Sequence, residues 1–446
     1  MLPHTTPHAP LHPDGTGRRR RRGSPVRWPA MSRLTARRAL AALALSGALA
    51  STGCGRGEAP AETAADGSAS APAPAGAPAL GSPKQAEPAP EAGALVALGF
   101  PASATKNTTR VGASDPVAVA AAVARAVFPG LTPESRPDAI ALVDRRDWRT
   151  ALAASVLMGA PVRAPLLLAD AGPELPAVTQ AALDDLAPKG SKAAGGAQVV
   201  RIGEVPRPEG RKTTDIAGRD PFALAQALDA FQAAAAGKTS DRVIVVSADA
   251  PASAAPAAAY AAKSGDPILF TRKDQLPSAT RAALRTHQQP KIYVLGPASV
   301  IGSDVVAKLR ELGAVTRIDG RDPIRNAIAF ARFSGTDFGW GVVDPGHGLV
   351  LARANADPAL AAAAAPLSAS GTYGPLLLLG GGDTIDPPLS TYLEGIQPGY
   401  RTDPVRGVYN HGWLVGDTRA MTPTLQARID TLLEIMPETT TSAETP

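Results

Sequence analysis

A single cysteine, Cys54, leaves the chain without any possible internal disulfide. Aromatic residues make up only 4% of its 446 residues, so its cores must rest on Ala, Val and Leu rather than on rings. The apolar run from Ala39 to Ala50, broken by Ser46 and Gly47, is shorter than the roughly 20 residues a membrane-spanning helix needs. Also missing are a Gly-x-Ser-x-Gly elbow, a Gly-x-x-x-x-Gly-Lys phosphate loop and a Gly-x-Gly-x-x-Gly turn after a strand. Each absence removes one large enzyme class. A basic surface is missing too, despite the net charge of +5. Of 45 basic and 40 acidic residues, nine arginines and one acid, Asp14, fall in residues 1–53; the remaining 36 and 39 leave the rest at −3. A nucleic-acid partner loses its electrostatic support.

What is present begins with a leader. Arg33, Arg37 and Arg38 precede the apolar run, and Ser51-Thr52-Gly53 precede Cys54 and Gly55. A charged start, a short apolar core and small residues before a cleavage point make a secretory signal. With the cysteine directly after, it resembles a bacterial lipoprotein signal, which implies lipidation of Cys54. Ser51 stands where that signal usually has Leu. Residues 1–30 carry His4, His8, His12 and Arg18–Arg22 but receive no function, because Met31 opens a normal signal and is the expected true start. Residues 54–94, rich in Ala, Pro, Gly, Ser and Glu, are expected to be a disordered tether, and 437–446 a disordered tail.

Between these lies a phrase said three times: "TRVGASDPVAVAAAVA" from Thr109, "TDIAGRDPFALAQALD" from Thr214 and "TRIDGRDPIRNAIAFA" from Thr316. After each come a strand ("AIALV", "RVIVVS", "GLVLA"), a second ("APLLLA", "PILFT", "GPLLLL"), a Pro-x-x-Thr helix start, and a third strand ending at Gly203, Gly296 or Gly416. Strands alternating with helices predict parallel sheets covered on both faces. Three units are therefore expected, over 95–213, 214–314 and 315–436. After Gly203 only about ten residues precede the next phrase, so the first unit lacks its last helix; the third inserts "QPGYRTDPVRGVYNH".

The phrases, together with "DPILFTRKDQLPSATRAAL" and "KIYVLGPASVIGSDVVAKL", resemble the bacterial cell wall-binding repeat 2 family over about residues 107–435. The resemblance implies α/β, Rossmann-like modules packed about a pseudo-threefold axis, and non-covalent binding of anionic cell-wall polymer of teichoic-acid type. One departure stands out: the Arg that follows the motif Asp in the family is Pro116, Pro221 and Pro323 here.

Physical chemistry assigns the phrase residues as follows. Asp115, Asp220 and Asp322 are placed to cap the next helix, with the prolines in its first turn. Gly218 and Gly320 let the chain turn, where copy one has Ala113. Arg110, Arg219, Arg317 and Arg321 are the candidate ligand-binding residues, because guanidinium groups near helix N-termini suit phosphate or carboxylate. Gly380-Gly381-Gly382-Asp383 reads as a turn rather than a phosphate cradle, His347 and His411 as surface residues without metal partners, and Trp148 as packing between units. Asp184-Asp185 and Asp144/Asp147 lack a signal for acid–base work. No catalytic residue, metal or cofactor is expected. The expected protein is secreted, lipid-anchored at the outer face of the cytoplasmic membrane, and binds wall polymer without catalysis. The alternative is a small-ligand receptor or an enzyme using a cleft between the units.

Overall fold

The structure, a computed structural model, describes residues 103–438; Cys54, the leader, the tether and residues 439–446 lie outside them. The chain enters through β1 (Ser103–Ala104) and β2 (Thr108–Val111), and the described residues build three main sheets and one two-stranded ribbon in a mixed α/β architecture. Sheet 1 holds β3 (Ile140–Asp144), β4 (Leu166–Ala169), β5 (Val199–Ile202) and β6 (Thr213–Ile216) in the order β4-β3-β5-β6. Sheet 2 repeats that order with β7 (Arg242–Ser247), β8 (Ile268–Thr271), β9 (Lys291–Leu295) and β10 (Ala314–Ile318). All neighbours within these two sheets are parallel. Sheet 3 contains β11 (Gly348–Arg353), β12 (Leu376–Leu379) and, after the short β13 (Gly399–Tyr400), β14 (His411–Val415). The apolar runs became β3, β4, β7, β8 and β12, strands buried on both faces.

Sheet 3 takes its fourth strand from the other end of the chain. β2 lies parallel to β14, with Arg110 opposite Leu414, and β1 folds back antiparallel on β2. The repeated phrase is thereby explained. Its strand (β2, β6 or β10) joins the preceding sheet, while its helix (Pro116–Val127, Pro221–Ala236 or Pro323–Arg332) packs on the outer strand of the next one, β4, β8 or β12. The phrase is the stitch between sheets. Because β2 stitches sheet 3 to sheet 1, the series closes on itself. The expected boundaries at 213/214 and 314/315 accordingly fall inside β6 and β10, and residues 108–111 belong to sheet 3 rather than to the first unit. The strand signal said that these runs pair, not with which sheet.

Two other expectations meet detail here. β5 does run to β6 with no helix between them, whereas Ser303–Arg310 bridges β9 and β10. Pro437, placed in the expected tail, instead belongs to β15 (Met436–Pro437), which pairs with β13 in the inserted segment.

The helices that follow the first strand of each sheet are Trp148–Ala154, which runs on as a 3-10 turn to Met158, Pro256–Ser264 and Ala359–Ser368. They meet one another. Every residue of Ala359–Ser368 is buried. Alanine makes this possible: with only a methyl group per residue the helix backbones approach closely, and larger residues there would overpack by about 1–3 kcal/mol. The scarce rings gather at one seam, where Tyr260, Tyr293, Phe330, Phe333, Phe338 and Trp340 cluster, with Tyr293 stacked on Phe338 at 3.6 Å. Trp148 packs edge-on to Phe270 of sheet 2, 6.2 Å away. Among the described residues no helix is long and apolar enough to cross a membrane.

Candidate functional site

Each phrase ends in the same local structure. Asp115 accepts the backbone N–H of Ala118 at 3.2 Å, Asp220 that of Ala223 at 2.8 Å and Asp322 that of Arg325 at 2.8 Å, with proline in the first turn of every helix. Partial burial pushes the Asp322 carboxyl up, but the Arg325 N–H and guanidinium outweigh it and hold the group below the usual carboxylate range. Asp322→Ala should therefore lower stability by roughly 0.5–2 kcal/mol, the usual cost of a lost cap. A urea midpoint unchanged from wild type would contradict that role.

The glycines work by close approach rather than by turning. Neither Gly218 nor Gly320 lies in the left-handed region. A Cβ on Gly320 would sit 2.3 Å from the Arg325 carbonyl carbon, and one on Gly218 would sit 2.7 Å from Leu224 N. The stitch folds back onto its own helix, so a side chain has no room there.

The four candidate arginines divide into two pairs. Arg110 is 1% exposed and cannot meet a polymer. It donates to Gln426 Oε1 at 2.8 and 3.1 Å and to the carbonyls of Gly416 and Asp417. Arg317, partly buried, donates in the same way to the carbonyls of Gly296 and Ile301. Desolvation lowers the pKa of both. These two are corrections to the expected site: their guanidinium groups clamp the turn after the third strand of their sheets. In sheet 1 the clamp is reversed across the strands. Asp215 occupies the Arg position, and Arg201 directly opposite on β5 binds it at 2.9 Å while donating to Val205 and Pro206 carbonyls. All three turns pass through a glycine with positive φ, Gly203, Gly296 or Gly416, and so point several carbonyls at one place. A guanidinium with five N–H groups can satisfy them together.

Arg219 and Arg321 are different. Their side chains are 82% and 77% exposed, 3.5 and 3.9 Å from the cap carboxylates of Asp220 and Asp322. The first phrase has Ser114 at this position, and the space beside Asp115 is filled by Arg145, 3.3 Å away, from the loop after β3. Sequence reading missed Arg145 because it arrives from 30 residues along the chain. Each cap thus has an exposed guanidinium beside it.

Open clefts adjoin two of these caps, near the carboxyl ends of the parallel strands, where α/β folds commonly hold ligands. One of about 530 Å³ is lined by Asp115, Arg145, Arg146, half-buried Trp148 and Asp357. Another of about 480 Å³ is lined by Asp144, Asp147, Glu204, Arg219 and Asp220. The glycine turn Gly380–Asp383 borders a third, of about 400 Å³, with Arg353 and Arg419. It is no phosphate cradle: its Gly380 and Gly382 carbonyls accept from Arg353, and the Gly380 N–H is spent on Asp386. His347 lies 3.3 Å from the Tyr373 carbonyl, and burial lowers the pKa of His411.

Comparison with known proteins follows the same geometry. Two solved structures share the fold over 74% of this chain: Cwp6 from Clostridium difficile, with a TM-score of 0.57 at 16% identity, and Cwp8 from the same organism, with 0.54 at 17%. The chain spans about half of each, 48% and 51%. The "Amidase enhancer" of Bacillus subtilis (strain 168) is 35% identical over 85 residues, which is 19% of this chain and 12% of that protein. Residues 216–306, from the end of β6 into the helix after β9, match the family described as Cell wall binding domain 2 (CWB2).

Proposed function

We propose that the chain is a non-catalytic envelope protein that holds an anionic cell-wall polymer against the three stitches, through Arg145, Arg219 and Arg321. The observation that carries this reading is the exposed guanidinium beside each cap carboxylate. In the family pattern an Arg follows the motif Asp; here proline takes that place. The arginine one residue earlier, or Arg145 through space, offers the same charge to a phosphate or carboxylate. Half-buried Trp148 beside Arg145 and Arg146 adds an apolar face on which a sugar ring can lie. In this reading the secreted protein is lipidated at Cys54 and held at the membrane, with residues 54–94 as spacer.

The test is co-sedimentation of the purified protein with cell walls, with and without their anionic polymer. The triple variant Arg145→Ala, Arg219→Ala, Arg321→Ala should bind about tenfold more weakly at low salt, since exposed charge contacts contribute roughly 0.2–1 kcal/mol each. Wild-type binding should fall as salt rises, because exposed charges are screened over about 8–10 Å near physiological ionic strength. Thermal stability should change little, since Arg219 and Arg321 are exposed and Arg145 makes only surface ion pairs, with Asp115 and Asp170, of a kind that contribute about 0–1 kcal/mol. Full affinity of the triple variant at low salt would reject the stitches as the binding surface. For the anchor, Cys54→Ala should leave the membrane fraction; retention there would refute lipidation at this residue.

A further inference from the structure

The described residues expose seven large apolar side chains, and six of them gather at the amino-terminal end of sheet 3: Val343, Tyr373, Val405, Val408, Tyr409 and Met436. Val343 and Tyr373 precede β11 and β12, Val405 to Tyr409 lie in the inserted segment before β14, and Met436 follows the returning helix Pro423–Leu433. The insert that carries three of them is fastened at several points. Gly399 of β13 faces Met436 of β15. Asn410, 2% exposed, accepts the Gly346 and His347 N–H groups at 2.8 and 3.1 Å and donates to the Ile396 carbonyl at 2.7 Å. The Tyr409 hydroxyl donates to the Pro404 carbonyl at 2.6 Å, and a Cβ on Gly346 would lie 3.7 Å from Val408 Cβ. Val405 is 81% exposed although the segment around it is held. Apolar side chains clustered on a fixed scaffold mark a contact surface.

The charges at the rim say what covers it. Arg401 is paired with Glu438, and Lys106 with Glu434. Arg406 and Asp344 are exposed, and neither makes an ion pair among the described residues. They flank Val408: Arg406 stands two residues before it, and Asp344 two residues before Gly346, against which Val408 lies. One free charge of each sign supplies no excess of cations to hold an anionic bilayer surface. It does suit an identical patch turned about a twofold axis, where the arginine of each copy meets the aspartate of the other over matched apolar centres.

We propose that two copies of the chain associate through this patch about a twofold axis, with Val405 and Val408 central and Arg406 opposite the partner's Asp344. The contact is small, so the expected Kd is on the order of 10 µM. The stitches lie at the carboxyl-terminal ends of their sheets and stay free in both copies. A polymer that spans the pair would then be held at two places, which raises its apparent affinity without any new contact. The pairing itself does not depend on polymer binding.

The experiment is sedimentation equilibrium on the full chain carrying Cys54→Ala, which removes both lipidation at that residue and any disulfide between copies. This protein should dimerise, and Val405→Asp should weaken the dimer at least tenfold, by placing two carboxylates near the axis. Arg406→Asp and Asp344→Arg should each weaken it about fivefold, whereas both together should restore it to within about twofold, because the two crossed pairs reform with their signs exchanged. Thermal midpoints should change little, since all three positions are exposed. A chain still monomeric at about 100 µM, ten times the expected Kd, would overturn the proposal. So would a dimer indifferent to Val405→Asp, or a charge exchange that restores nothing. Flotation with phosphatidylglycerol vesicles tests the other occupant: a monomer that binds them through Val405 would assign the patch to a bilayer and reject the dimer.

Discussion

Arg110→Met should destabilise the protein by about 3–5 kcal/mol, far more than any of the exposed arginines. The side chain joins the strand β2 to the helix Pro423–Leu433 across 316 residues of sequence. Gln426, its partner, also donates to Thr108 Oγ1 at 3.0 Å, so one small network fastens the beginning of the described chain to its end. Removing the guanidinium strands the buried Gln426 amide oxygen and Gly416 carbonyl, and the partly buried Asp417 carbonyl. Each buried unmatched acceptor costs about 1–3 kcal/mol, and broken buried networks fall in the range of about 3–5. Lysine should not rescue, because a single ammonium cannot reach the same spread of acceptors that the guanidinium fork does. Chemical denaturation of Arg110→Met beside Arg321→Ala is the direct comparison. Similar losses in both, within about 0.5 kcal/mol, would mean that Arg110 is not the fastening described.

The second large effect concerns the strand itself. A chain lacking residues 1–111 should lose cooperative folding of sheet 3, on the order of 5 kcal/mol or more, comparable to the whole stability of many domains. β14 would become an edge with unpaired N–H and C=O groups, and Thr108, Arg110 and Val111, all nearly inaccessible, would be gone. The expected readouts are a lowered melting transition by circular dichroism and higher-order species in size-exclusion chromatography. A synthetic peptide covering residues 103–113, supplied in trans, should restore the transition by refilling the vacant edge. A truncated protein that stays monomeric with an unchanged midpoint would show that sheet 3 does not need its borrowed strand.

The alternation of short apolar runs with Ala-rich helices made the parallel sheets readable, and the Asp-Pro pair announced three capped helices. Partnership was not readable. A run such as "AVTRI" states how its side chains alternate, but nothing in it says whether the neighbour is the strand before or the strand after. Arg110 misled for a related reason. A charged residue in a half-polar strand reads as surface, and only the converging carbonyls of Gly416 and Asp417, some 300 residues away, turn it into a buried clamp. The Arg201–Asp215 reversal carries a faint signal, since an acid stands at the arginine position in one copy alone. Reading it needs the register of two strands, which local sequence does not supply. Arg145 was hidden in the same way: its neighbour is set by folding, not by spacing.

Donation of a strand from each repeat to the sheet before it has a consequence for copy number. A repeat cut out alone carries a strand whose sheet is missing and a sheet whose outer strand is missing, so it is unpaired at both ends. In an open solenoid such ends are sealed by special caps, and units can be gained or lost one at a time. Here the last vacancy is filled by the first donor, and no end is left over. Inserting or deleting one repeat would force every crossing between sheets to a new angle. Changes confined to loops, such as the segment inserted before β14, leave the donors untouched. Variation in this architecture is therefore channelled into its loops, and the count of three is part of the fold.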